Sequence, residues 1–101
     1  VVRWLTTDAT FEKLLDGAVL LDVREKDEYD NLSFHDCIHI PLDKIREQCQ
    51  EKLDKNVTII TCSNTGLRCA SAAFLLATLG YDVYSMQGGV TGLLKLIEKD
   101  V

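Results

Sequence analysis

The sequence predicts a small α/β domain with a mainly parallel sheet flanked by helices, and three observations predict it. Strand-like and helix-like segments alternate along the whole chain. Ala18-Val19-Leu20-Leu21-Asp22-Val23 is a nearly continuous apolar run, the mark of a strand covered on both faces. Val57-Thr58-Ile59-Ile60-Thr61 is β-branched throughout and is followed by a polar, glycine-containing stretch and then a helical rhythm. At 101 residues the chain is long enough for one domain, 1–101, to bury a core without metals or disulfides.

Each element has its own signal. Thr7 is expected to cap a first helix with Asp8 in its opening turn, Phe11, Leu14 and Leu15 on one face, and Gly17 at its end. The run 18–23 is the next strand. Ile38-His39-Ile40 is a short strand closed by Pro41. From Leu42, apolar residues recur at Ile45, Cys49 and Leu53, as on an amphipathic helix. Val57–Thr61 is a strand, and Cys69 to Leu79 a helix with Ala72, Ala73, Leu76 and Leu79 inward and Gly80 as its stop. Asp82–Met86 is a last strand, Gly88-Gly89 a turn, and Leu93, Leu94, Leu96 and Ile97 mark a closing helix.

The formal net charge of −5 argues against nucleic acid or an anionic membrane as partner. No apolar run reaches the length of a membrane span, and no leader is expected. A first residue of valine is expected of a processed form or a domain cut from a longer chain. Cys37, Cys49, Cys62 and Cys69 lack the spacing of a disulfide scaffold and are expected to be reduced thiols in the cytoplasm.

The chemistry is expected in the loop Cys62-Ser63-Asn64-Thr65-Gly66-Leu67-Arg68. A thiol at a strand end, ahead of a short loop and a helix N-terminus, meets converging backbone N–H groups and the positive end of a helix dipole. Its pKa is expected to fall below the roughly 8.5 of a free thiol, with Arg68 adding a fixed cation. Cys69 is either a packing residue or a second, resolving thiol. Asp22 and Arg24 are expected to form an internal ion pair. His35, Cys37 and His39 alternate along a strand, but no fourth ligand accompanies them, and no metal is expected.

Leu20-Leu21-Asp22-Val23-Arg24-Glu25 with Glu28-Tyr29, and Ile38-His39-Ile40-Pro41-Leu42, resemble the first two signatures of rhodanese-like domains. The loop from Cys62 to Arg68, and Leu79-Gly80-Tyr81-Asp82-Val83-Tyr84 with Gly88-Gly89, resemble the active loop and the closing stretch. The resemblance covers roughly residues 5 to 97 and implies a three-layer fold around a parallel sheet of about five strands. It is most similar to the modules appended to CoA-disulfide or polysulfide reductases, so fusion to, or work beside, a flavin disulfide reductase is implied.

The family's commonest loop runs Cys, two residues, Gly, one residue, Arg. With one residue inserted, Cys62 is the nucleophile of a seven-residue loop. Without a gap, Ser63 takes the nucleophile's position and sulfur transfer is lost. The first alignment is preferred, since Cys62 stands at the strand-to-loop junction. It implies a sulfurtransferase: the Cys62 thiolate attacks the outer sulfur of thiosulfate or a persulfide, sulfite or a thiolate departs, and the Cys62 persulfide passes its sulfur to cyanide or a thiol. Ser63, Asn64, Thr65, Gly66, Leu67 and Arg68 would hold the anion, with no cofactor. The spacing Cys62-x5-Arg68 also suits a rhodanese-fold cysteine phosphatase or arsenate reductase, the second reading. A silent regulatory or binding domain is the third reading.

Overall fold

A five-stranded sheet, parallel at every pairing, organises the computed structural model, which describes residues 2–31, 36–64, 66–90 and 92–93. The elements are β1 (Trp4–Leu5), α1 (Thr7–Leu15), β2 (Val19–Asp22), α2 (Lys26–Asn31), β3 (Ile38–His39), a 3₁₀ turn (Leu42–Lys44), α3 (Ile45–Lys52), β4 (Ile59–Cys62), α4 (Gly66–Thr78) and β5 (Val83–Met86). The strand order is β1-β5-β4-β2-β3, so the loop after β4 leaves the middle of the sheet.

Local chemistry sets the boundaries. Thr6, one residue before the expected cap, accepts the Ala9 N–H at 3.1 Å, and Asp8 lies in the first turn. Gly17 and Gly80 follow α1 and α4 at φ +101° and +97°, a conformation that side chains with a Cβ resist. The amphipathic segment from Leu42 starts as a 3₁₀ turn and becomes α-helical only at Ile45.

Two core layers cover the sheet. On one face Leu21, Val23, Ile59 and Val83 pack against Ile45 and Cys49 of α3 and Cys69, Ala72, Ala73 and Leu76 of α4. On the other, Leu20, Ile60, Cys62 and Met86 pack with Val90 and Leu93, and with Leu14 of α1. Within β4 the alternation is strict. Ile59 faces the α3/α4 layer, Ile60 and Cys62 face the other layer, and Thr61 Oγ1 donates to the carbonyl of Cys69 in α4 at 2.8 Å.

Two elements have no counterpart in the sequence expectations, the two-residue β1 and α2, which has no buried residue. The expected closing helix falls partly on 94–97, outside the described residues; helical backbone begins at 89–90 and 92–93.

Candidate functional site

Cys62 is the last residue of β4, not the first of the loop. It pairs in register with Asp22 of β2 and has no exposed surface. Because side chains alternate across a strand, its thiol belongs to the core layer opposite α4. Cys62 thus stands at the strand-to-loop junction, as expected, with its thiol packed in that layer. The shift in its pKa runs opposite to the expected one. Burial pushes the Cys62 thiol well up from its ordinary value, and the Asp22 carboxylate and Cys37 add to the effect; Arg24 opposes it.

Ser63 is the first loop residue, and it is equally buried. Its hydroxyl accepts the backbone N–H of Cys69, in the first turns of α4, at 3.3 Å. Its carbonyl accepts the Val90 N–H at 3.1 Å. The sequence Ser63-Asn64-Thr65-Gly66-Leu67-Arg68 then has the family's commonest spacing with no insertion. Thr65 lies outside the described residues.

The Gly88-Gly89 turn is built onto this loop. Gly89 sits at φ +69°, and a Cβ there would lie 2.8 Å from the Asn64 carbonyl oxygen and 2.9 Å from that of Ser63. Glycine thus serves two needs at once, a left-handed backbone and contact with a neighbouring chain segment.

Charged groups bracket the loop's other side. Arg68 grips Glu28 with both nitrogens, Nη1 to Oε1 at 2.6 Å and Nη2 to Oε2 at 2.9 Å. Asn64 joins the cluster, its Nδ2 donating to Glu28 Oε2 at 2.9 Å and its Oδ1 accepting from Arg24 Nη1 at 3.2 Å. Glu28 also accepts the Glu25 N–H at the start of α2, one half of a capping box. The Arg68 guanidinium holds the Glu28 carboxyl down to about 2. Asp22 and Arg24 form the expected internal pair, with Nη2 to Oδ2 at 2.7 Å and both groups buried.

Glu28 is the site residue that sequence reasoning misses. Its signal is the segment Asp22-Val23-Arg24-Glu25 with Glu28-Tyr29, which speaks for the fold without naming a contact. Leu67 stands outward, 77% exposed. The Cys69 side chain packs in the α4 layer, its Sγ donating to the Gly66 carbonyl at 3.3 Å. Cys62 and Cys69 are both free thiols, packed in different core layers. His39 is stacked on Tyr29 with ring centroids 4.2 Å apart and donates from Nε2 to the Arg24 carbonyl. His35 is outside the described residues. No group of three metal-ligating side chains comes together among the described residues, and no described helix is long and apolar enough to cross a membrane.

Against this geometry the comparisons with known proteins are direct. A model of the rhodanese-like domain matches residues 7–96, and the chain belongs to that family. The family includes sulfurtransferases, and other activities also occur in it. A rhodanese-related protein of Thermoplasma volcanium superposes with a TM-score of 0.82 at 26% identity, covering 92% of this chain and 91% of that one. Bacillus anthracis CoADR-RHD, in which a rhodanese domain accompanies a CoA disulfide reductase, gives a TM-score of 0.79 at 30% identity, covering 87% of this chain and 16% of that one. A tRNA uridine(34) hydroxylase of Erwinia tasmaniensis is 32% identical over 79 residues, 72% of this chain; the match spans only 23% of that relative's length.

Proposed function

We propose that this chain is a rhodanese-like recognition module that holds a small sulfur-containing anion such as thiosulfate at the 63–68 loop without taking its sulfur covalently. One observation carries the reading. The side chain met by the Cys69 N–H is the Ser63 hydroxyl, while the Cys62 thiol is turned into the opposite core layer. A thiolate can take a sulfane sulfur and release sulfite; a hydroxyl oxygen forms no persulfide, so that covalent step has no counterpart at Ser63. Recognition can persist without it. The N–H groups of Gly66, Leu67 and Arg68 begin α4 and have no acceptor within the helix, and the helix dipole favours an anion there. Arg68 is already paired with Glu28, so a bound anion competes for it and binding is weak and reversible.

The likeness to CoADR-RHD supports work beside, or fused to, a flavin disulfide reductase. Four free cysteines support a reducing, cytoplasmic setting. Sulfur transfer or phosphate-ester cleavage through Cys62 requires that thiol to turn out of the core layer opposite α4 and toward the loop. The test is intact-mass measurement after thiosulfate treatment, with an amide-resolved NMR titration of the same anion. The expected result is shifts at Gly66 to Arg68 and no one-sulfur adduct. An adduct that disappears in Cys62→Ala overturns the reading.

A further inference from the structure

The residues ahead of β4 and β5 lie at the amino-terminal end of the parallel sheet, and the 63–68 loop lies at the carboxyl-terminal end. At the amino-terminal end an open cleft of about 540 Å³ lies between α3, the segment leading into β4 and the turn from α4 to β5. That volume is within the usual range of small-molecule sites. Its lining holds two cations, Arg46 and Lys55, the amide of Gln50, and no carboxylate.

In a chain of net charge −5 this is a local reversal of sign. Neither cation forms an ion pair among the described residues, whereas Arg3, Arg24, Lys26, Lys44 and Arg68 all do. The carboxylates adjacent in sequence are drawn elsewhere. Glu47 faces Lys44 at 4.0 Å, and Asp54 accepts the Asn56 N–H at 2.8 Å.

The floor is formed by Tyr81 with Leu53 and Leu79. Tyr81 and Leu53 are buried, and Cys49 and Leu79 line the cleft beside them. Lys55 Nζ stands 5.4 Å from the centre of the Tyr81 ring, which keeps the ammonium over the cleft. Two cations outside any ion pair, beside Tyr81, Leu53 and Leu79, match a compact dianion carrying a small organic part.

We propose that this cleft is a second ligand site, remote from the loop, that takes a small phosphomonoester. Arg46 and Lys55 hold its phosphate, and Leu53, Leu79 and Tyr81 receive its organic group. Phenyl phosphate is the probe, titrated into the isotopically labelled full chain at low salt, with inorganic phosphate in a parallel titration. Saturable shifts confined to residues 46–55 and 79–81 are expected, with phenyl phosphate binding more tightly than phosphate. The double variant R46Q/K55Q, both positions exposed, should keep its dispersed spectrum and bind about tenfold more weakly or worse. Amide shifts at residues 66–68, followed in the same spectra, separate this site from the loop. Unchanged affinity in the double variant, equal binding of the two anions, or shifts only at residues 63–68 would each overturn the proposal.

Discussion

Arg68 and Glu28 are joined by two parallel hydrogen bonds across the side of the loop, so the loop's cation is already engaged. The carboxyl is held down to about 2 from an ordinary 4.5, chiefly by Arg68. The folded-state value is the lower one, so the contribution is fully present above about pH 4.5 and disappears as the pH falls through about 2. Both partners are partly exposed, so Glu28→Gln should cost no more than about 1 kcal/mol near neutral pH. Urea titrations of parent and variant from about pH 6 down to about 2 should converge at the acid end. A stability gap that persists unchanged at the acid end would show that the charge of Glu28 is not what matters.

Gly89 should be the least replaceable glycine near the site. Alanine there meets both the positive φ and two carbonyl oxygens inside 3.0 Å. A loss of about 2 kcal/mol or more is expected from those combined strains. Faster hydrogen exchange at the Val90 amide, which donates to Ser63, should accompany it. A variant as stable as the parent would mean that the turn and the loop are not coupled.

The Asp22–Arg24 pair is buried on both sides. Arg24→Met leaves the carboxylate without its cation, a change that typically costs about 3–5 kcal/mol. It also removes the group that opposes the rise in the Cys62 pKa. A lowered denaturation midpoint is expected; a midpoint unchanged from the parent would contradict the assignment.

The fold is legible in the sequence because its central strands are long apolar runs and its helices carry a clear inward face, as at Ala72, Ala73 and Leu76. β1 is not, since two residues joined to the last strand in sequence leave no local signal. α2 is not, because Lys26-Asp27-Glu28-Tyr29-Asp30-Asn31 has no buried residue. The loop itself can be recognised, while the choice between Cys62 and Ser63 for its reacting position turns on one residue. A single step along a strand turns a side chain to the other face. Two signals favour Ser63: the ungapped Ser63-x-x-Gly66-x-Arg68 spacing, and the alternation that sets Cys62 with Ile60.

The most direct test is a gain of chemistry. Ser63→Cys in a Cys62→Ala background puts a thiol where the Cys69 N–H points, and thiosulfate treatment followed by mass spectrometry reads the result. A one-sulfur adduct on position 63, absent from the parent, is the predicted outcome. An adduct on Cys62 in the parent, with none on position 63 in the variant, would contradict the account.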